Sequence, residues 1–232
     1  MEKKFELTDN FVINAFGIKL FQIKCTKSFK YANEGDLGGY VEKEDNLSQS
    51  GDAWVSGDAQ VSGDALVSGN AQVYGDALVS GDAQVSGNAQ VSCDAQVSGN
   101  AQVYGDALVS GNAQVYGDAQ VYGKAWVSGD AWVYGDAWVS GDAWVSCDAQ
   151  VYGNARVENN HMHCGFDCFG SCNRHTHAYK TKGNKVEITC GCFRGNIEEF
   201  ERKVEETHSG TIYEKQYKAI INLIKIKFGI DG

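Results

Sequence analysis

The residues with the most obvious chemistry are cysteines and histidines in the last third of the chain. Every histidine and five of the eight cysteines follow Glu158. A structural Zn²⁺ needs four thiolate or imidazole ligands, and a small domain gains folding free energy from such an ion. Nine candidate ligands lie within 32 residues: His161, His163, Cys164, Cys168, Cys172, His175, His177, Cys190 and Cys192. We predict a structural zinc site whose ligands are Cys164, Cys168, Cys190 and Cys192.

The cysteine spacing leaves alternatives to zinc open. Cys-x3-Cys-x3-Cys is looser than the Cys-x2-Cys pairs of zinc fingers, and Cys190-Gly-Cys192 is tighter. Unligated thiols with surface histidines fit the pattern equally well, and another metal is a third possibility. The first residues, Met1-Glu-Lys-Lys-Phe-Glu-Leu-Thr, are polar and lack the basic stretch followed by an apolar run that is typical of a signal peptide. We therefore predict a cytoplasmic protein whose cysteines are reduced or metal-bound rather than disulfide-linked.

Cationic side chains accompany the same segment. A binding site for an anionic partner needs placed polar and charged groups. The repetitive middle of the chain offers only Lys124 and Arg156, and it contains no histidine. We therefore predict that a host protein or a small anionic ligand binds near Arg174, Lys180, Lys182, Arg194 and His208.

Enzymatic alternatives can be weighed from the same residues. Acyl transfer needs a general base, usually histidine, and a thiol nucleophile needs a base beside it. His208 with Cys190 or Cys192 is a conceivable pair, although Cys-x-Cys is more often structural. We predict no catalytic residue and keep an acyltransferase-like enzyme as the alternative.

The element that must position these groups is a six-residue repeat. Gly51–Glu158 contains eighteen hexads, with Ala at the third position and Val at the fifth of every one. Two positions apart on an extended segment, Ala and Val point to the same side, while Gly-Asp or Gly-Asn supplies turn chemistry. An α-helix cannot place both residues of every hexad on one stripe. A short fixed period of this kind predicts a parallel β-helix.

The hexad also resembles the repeat of left-handed parallel β-helix proteins. In that family three hexads form one triangular coil, which implies about six coils and residues eighteen apart stacked in columns. Tyr116, Tyr134 and Tyr152 then share a column, as do Trp126 with Trp144 and Tyr104 with Tyr122. Proteins that resemble this rod commonly form trimers, so we predict a homotrimer in which the aromatic columns are candidate contacts.

Charge is concentrated in the repeats. Twelve Asp and one Glu against one Lys and one Arg give Gly51–Glu158 a net charge of −11, whereas the whole chain carries −10. An acidic rod could imitate nucleic acid, and such mimicry is our second alternative function. A solvated ladder of corner carboxylates explains the same charge, and direct nucleic-acid binding by an acidic surface is unfavourable. No apolar run is long enough to span a membrane.

Three segments follow from these patterns. Residues 1–40 read as an N-terminal β cap, residues 41–158 as the β-helix, and residues 159–232 as a small α+β domain. Counting back by sixes from Gly51 puts Val41 and Leu47 at the inward Ala position of a degenerate coil. Asn196 with Glu199 predicts an N-capped helix through about Thr207, followed by an amphipathic last helix.

The chain as a whole resembles hexapeptide-repeat proteins of phages and prophages, often described as polymer-forming. The resemblance rests on Gly35-Asp-Leu-Gly-Gly-Tyr before the repeats, on the repeats themselves, and on Cys190-Gly-Cys-Phe-Arg-Gly after them. It implies no defined activity. We predict a mainly β, non-catalytic phage-type binding or scaffold protein, which presents its C-terminal domain to a host defence factor or a small signalling molecule.

Overall fold

One short strand from each hexad winds into a parallel β-helix in this computed structural model, which describes residues 3–230. The structure confirms the spacing of eighteen residues, since Gln96 pairs with Gln114 and Val97 with Val115. The strands are β4 (Trp54–Val55), β5 (Gln60–Val61), β6 (Leu66–Val67), β7 (Gln72–Val73), β8 (Leu78–Val79), β9 (Gln84–Val85), β10 (Gln90–Val91), β11 (Gln96–Val97), β12 (Gln102–Val103), β13 (Leu108–Val109), β14 (Gln114–Gly117), β15 (Gln120–Val121), β16 (Trp126–Val127), β17 (Trp132–Gly135), β18 (Trp138–Val139), β19 (Trp144–Val145), β20 (Gln150–Tyr152) and β21 (Arg156–Val157).

Three parallel sheets form the sides of the rod. Strands β4, β7, β10, β13, β16 and β19 make one side, and β6, β9, β12, β15, β18 and β21 make another. The third side runs through β5, β8, β11, β14, β17 and β20. All eighteen Ala and all eighteen Val of the hexads are buried in one continuous core. The predicted inward pair is therefore confirmed.

Glycine at the corners permits close stacking of the coils. Gly75 has φ 72°, and a Cβ on it would lie 3.0 Å from the backbone N of Cys93 in the next coil. Cys93 and Cys147 take the same left-handed conformation, with φ 60° and 58°. At the corners, Asn and Asp side chains of successive coils form hydrogen bonds: Asn112 Nδ2 donates to Asp130 Oδ1 at 2.8 Å. An amide placed between carboxylates relieves like-charge repulsion along the column.

The predicted aromatic columns are confirmed as stacked rings. Ring centroids are 4.9 Å apart for Tyr116 and Tyr134, and 4.7 Å apart for Tyr134 and Tyr152. Trp126 and Trp144 stack at 5.0 Å. Each such pair contributes about 0.5–1.5 kcal/mol beyond its buried area.

An antiparallel unit covers the N-terminal end of the rod. It consists of β1 (Phe5–Ile13), β2 (Lys19–Cys25) and β3 (Leu37–Val41), and β3 then pairs in parallel with β5. A 3₁₀ helix at Glu44–Asn46 leads to Leu47, so one irregular coil precedes the six regular ones and gives about seven turns. The range predicted for the cap, 1–40, thus ends inside β3.

The predicted register of this first coil is wrong by two residues. Val41 pairs with Val61 and Leu47 with Val67, so both occupy the Val position rather than the Ala position. Eight residues instead of six separate Leu47 from Val55. The side-chain amide of Gln49 explains the extra length, because its Oε1 accepts a hydrogen bond from the backbone N of Lys4 at 2.8 Å.

A sheet and two helices cover the C-terminal end. The antiparallel strands are β22 (His163–Phe169), β23 (Arg174–Lys180), β24 (Val186–Cys190) and β25 (Phe193–Gly195), followed by α1 (Ile197–His208) and α2 (Ile212–Phe228). The predicted cap of α1 is confirmed, since Asn196 and Glu199 form a reciprocal capping box. Within residues 3–230, no helix is long and apolar enough to cross a membrane.

The two faces of this sheet pack against different parts of the molecule. On β23, His177 and Tyr179 face the last coil of the rod, whereas Ala178 joins the core shared with the helices. Tyr179 is fully buried and belongs to the core of the rod. It is the side chain that fills the open C-terminal end.

Candidate functional site

A chain of imidazoles lies at the junction between the sheet and the rod. His177 Nδ1 lies 3.0 Å from the carbonyl oxygen of Gln150, and His177 Nε2 lies 3.0 Å from His163 Nδ1. A carbonyl only accepts, so Nδ1 of His177 must carry a proton. Burial lowers the pKa of His177 to about 3, and it is the main cause that lowers the pKa of His163 to about 4. Both rings are therefore neutral and structural at pH 7.

These depressed pKa values predict acid sensitivity at the junction. An unfolded imidazole titrates near 6.5, so between pH 6.5 and 4 the unfolded chain binds more protons than the folded one. Above pH 6.5 the buried histidines make their full contribution to the free energy of unfolding. As the pH falls towards the folded pKa, that free energy decreases by about 1.4 kcal/mol per histidine for each pH unit. Thermal melts between pH 7.5 and 4 should show His177→Gln with a shallower decline than the wild type. His161→Gln, at an exposed histidine, is the control. Equal slopes in all three proteins would contradict the assignment.

A candidate binding site lies on the other side of the sheet. A cavity of about 270 Å³ opens between α1 and the two turns that join β22 to β23 and β24 to β25. Its apolar lining comes from Phe193, Phe200, Val204 and Tyr217. Phe200, Lys203, Val204, Thr207 and His208 all line it from α1, which follows from their spacing on one helical face.

The charged lining of this cavity is cationic. Arg174 and Lys203 line it together with the imidazole of His208, and none of its lining residues within the described range 3–230 is Asp or Glu. The Arg174 side chain lies across the turn at Gly191, which has φ 59° and no room for a Cβ beside the guanidinium. No hydrogen bond or ion pair of that guanidinium occurs within residues 3–230. Lys203 pairs at 3.4 Å with Glu206, but both side chains are more than half exposed, so the pair holds the ammonium weakly.

A polar contact closes the base of the cavity. Thr176 Oγ1 donates to Cys190 Sγ at 3.3 Å, and the Tyr217 hydroxyl lies 3.7 Å from the same sulfur. Burial is the main cause that raises the pKa of Tyr217, and its contact with Cys190 raises it further. The Tyr217 ring stacks with that of His208 at 5.4 Å between centroids. The base is thus a neutral, aromatic surface.

The structure brings together two of the five predicted ligand-binding residues, Arg174 and His208, at this cavity. Arg194 lies elsewhere, with its guanidinium 4.4 Å from the ring centroid of Tyr152 and its Nε bonded to Glu187. Lys180 lines a separate cavity with Lys185, and the backbone N of Lys182 donates to Asn154 on the rod.

The four predicted zinc ligands are not gathered into one site. Cys190 and Cys192 line the cavity, whereas Cys164 packs beside the helix core and Cys168 is exposed. Burial raises the pKa of the Cys164 thiol to about 11, which disfavours the thiolate that binds metal. Within residues 3–230, no three His, Cys, Asp or Glu side chains are arranged to hold a metal ion. Zinc stays a prediction, and no chemistry is assigned to it.

Sequence reasoning missed Lys203, Phe200 and Tyr217. The signal was present for the first two, because the predicted N-cap at Asn196 fixes the phase of α1 and therefore the face that they share. No local pattern shows that Tyr217 of α2 packs against a turn more than 40 residues earlier, at Gly170.

The comparisons with known proteins concern the rod. The family model described as YdcK Beta solenoid repeat matches residues 59–71, 71–87, 95–111, 101–117, 113–129 and 149–161. These matches and the pairing of the coils agree that the chain is a β-solenoid repeat protein. The comparison with curated proteins finds no relative.

Proposed function

We propose that this chain is a non-catalytic binding protein, in which the rod carries a C-terminal unit that binds a small anionic molecule with an aromatic or apolar part. The observation that carries the proposal is the composition of the 270 Å³ cavity. It combines two cations with an aromatic base and has no acidic lining residue within the described range 3–230.

The charges favour an anion. A guanidinium binds a phosphate or carboxylate through two parallel hydrogen bonds, and Arg174 has no competing partner within residues 3–230. Lys203 adds a second positive charge from α1. The rings of Phe200 and Tyr217, which meet edge to face, supply the apolar surface on which the remainder of the ligand would pack.

The same contacts favour binding over catalysis. A thiol nucleophile needs a base in hydrogen-bond contact. Within residues 3–230, the contacts of Cys190 Sγ are with the Thr176 and Tyr217 hydroxyls rather than with an imidazole. These contacts of Cys190 give no support to acyl transfer through that thiol.

The resemblance to phage hexapeptide-repeat proteins suggests a biological setting for such a module. A phage protein that sequesters a small signalling molecule of its bacterial host would need a rigid carrier and an anion-binding cavity. We propose this setting in preference to capture of a host protein, because the site is a small concave cavity. A cytoplasmic location and a homotrimer are parts of the same proposal.

Phenyl phosphate tests the proposed chemistry, because it joins one anion to one aromatic ring. Calorimetric titration should show binding that Arg174→Gln weakens at least about tenfold, since charge-assisted hydrogen bonds contribute roughly 1.5–3 kcal/mol. Lys203→Gln should weaken it less. Lys182→Gln removes an equal charge outside the cavity and serves as the matched control.

Phenol and inorganic phosphate separate the two halves of the ligand. Each should bind more weakly than phenyl phosphate, because each occupies only one part of the cavity. If Arg174→Gln and Lys182→Gln lose the same affinity for phenyl phosphate, the loss reflects the net charge of the chain rather than a contact in the cavity. Absence of binding at millimolar phenyl phosphate would contradict the proposal.

A further inference from the structure

A second groove lies on the rod side of the sheet and shares Arg174 with the cavity described above. It has a volume of about 600 Å³ and runs between one side of the rod and the turns at the edge of the C-terminal sheet. Trp132 stands on the rod wall, between Gln114 and Gln150 on the adjacent coils. Asp130 and Asp148 lie on the neighbouring corner, and Arg174 lies opposite.

Trp132 differs from the other four tryptophans. The indole N–H groups of Trp126 and Trp144 donate to serine hydroxyls at 3.2 and 3.3 Å, and their rings stack on each other. Trp138 is covered by Arg156 at 3.2 Å, and Trp54 is buried.

Trp132 is 40% exposed, no more than Trp126 or Trp144, so what distinguishes it is its contacts. Its one aromatic contact within residues 3–230 is an edge contact with Tyr116, at 6.4 Å between ring centroids. Its indole N–H makes no hydrogen bond there, because Tyr116 occupies the place where Trp126 and Trp144 find a serine.

We propose that this groove binds a neutral carbohydrate, with a sugar ring packed on Trp132. The C–H face of a pyranose is apolar and matches an exposed indole ring, while its hydroxyls need donors and acceptors around the rim. The groove provides acceptors in Asp130 and Asp148, side-chain amides in Gln114 and Gln150, and the free indole N–H. A few placed polar groups around an apolar surface are the general pattern of such sites.

The charges of the groove disfavour an anion and give a cation little net attraction. Two carboxylates repel an anion, and Arg174 on the opposite wall offsets one of the two negative charges that a cation would meet. A ligand without net charge does not meet this repulsion. The groove therefore differs from the cavity beside α1, which has cations and no acidic lining residue within the described range 3–230.

Tryptophan fluorescence with maltotriose, cellotriose and chitotriose as probes tests this inference on the full chain. At least one of these neutral trisaccharides should bind, and Trp132→Gln should lose at least about tenfold in affinity with its stacking surface. Glutamine occupies the same position in the coils before and after, so this variant keeps the rod. Trp126→Gln, on another side, and Lys203→Gln, in the cavity, should bind within about twofold of the wild type.

Three results would overturn the inference. They are absence of binding by all three sugars at millimolar concentration, unchanged affinity in Trp132→Gln, and a loss of sugar affinity in Lys203→Gln as large as that expected for Trp132→Gln. The last result would move the sugar into the cavity, because Lys203 lines the cavity and not the groove. None of these results tests anion binding by the cavity.

Discussion

Inserting one residue between Gln96 and Val97 should unfold the rod locally, whereas deleting the eighteen residues Gly81–Ser98 should leave it folded. The insertion turns Val97 from the core to the solvent side of β11 and breaks its pairing with Val79 and Val115. Loss of a buried side chain and of the stacked backbone bonds should cost about 3 kcal/mol or more. The deletion removes one whole coil and restores the same register.

Urea unfolding followed by circular dichroism measures the difference. A matched control inserts one glycine after Gly99, at a corner, where the cost should be smaller. The native chain supports this expectation, because Gln49 and Ser50 are extra residues absorbed before the corner at Gly51. If the strand insertion and the coil deletion give the same free energy of unfolding, the prediction that three hexads form one coil is wrong.

Tyr179→Ala should be the most damaging single substitution at the C-terminal end. Tyr179 is fully buried against the last coil, and its hydroxyl donates to Glu187 at 2.8 Å. Truncation leaves a cavity over the end of the rod core and should cost about 3–5 kcal/mol. Tyr179→Phe keeps the ring and loses only the hydroxyl, at roughly 1 kcal/mol. Thermal melts in which the two variants coincide would show that the ring does not fill the end of the rod.

The rod could be predicted because its signal is local and repeated. In every hexad, Ala and Val mark the positions that face inward. The fixed period then predicts which residues of successive coils stack in columns. The first coil could not be placed in the same way. Its register depends on hydrogen bonds that the backbone N–H groups of Lys4 and Phe5 donate to the side chain of Gln49, more than 40 residues away.

The C-terminal site could be predicted only in part, for a similar reason. Composition indicated that Arg174 and His208 are unusual, and the structure brings them to one cavity. Whether a residue faces the rod or the helices depends on strand parity: Cys190 faces the helices, whereas His177 lies against the rod. The sequence contains both residues in one Cys/His-rich segment and does not show that a sheet separates them.

The central claim is that the cavity beside α1 binds an anion through Arg174 and an aromatic group through Phe200 and Tyr217. A crystal structure of the full chain with 4-bromophenyl phosphate tests it most directly, since anomalous scattering locates the bromine. We expect the bromine peak beside the Phe200 and Tyr217 rings, and the phosphate within hydrogen-bond distance of the Arg174 guanidinium. A bromine peak on the rod, or a phosphate bound away from Arg174, would contradict the account.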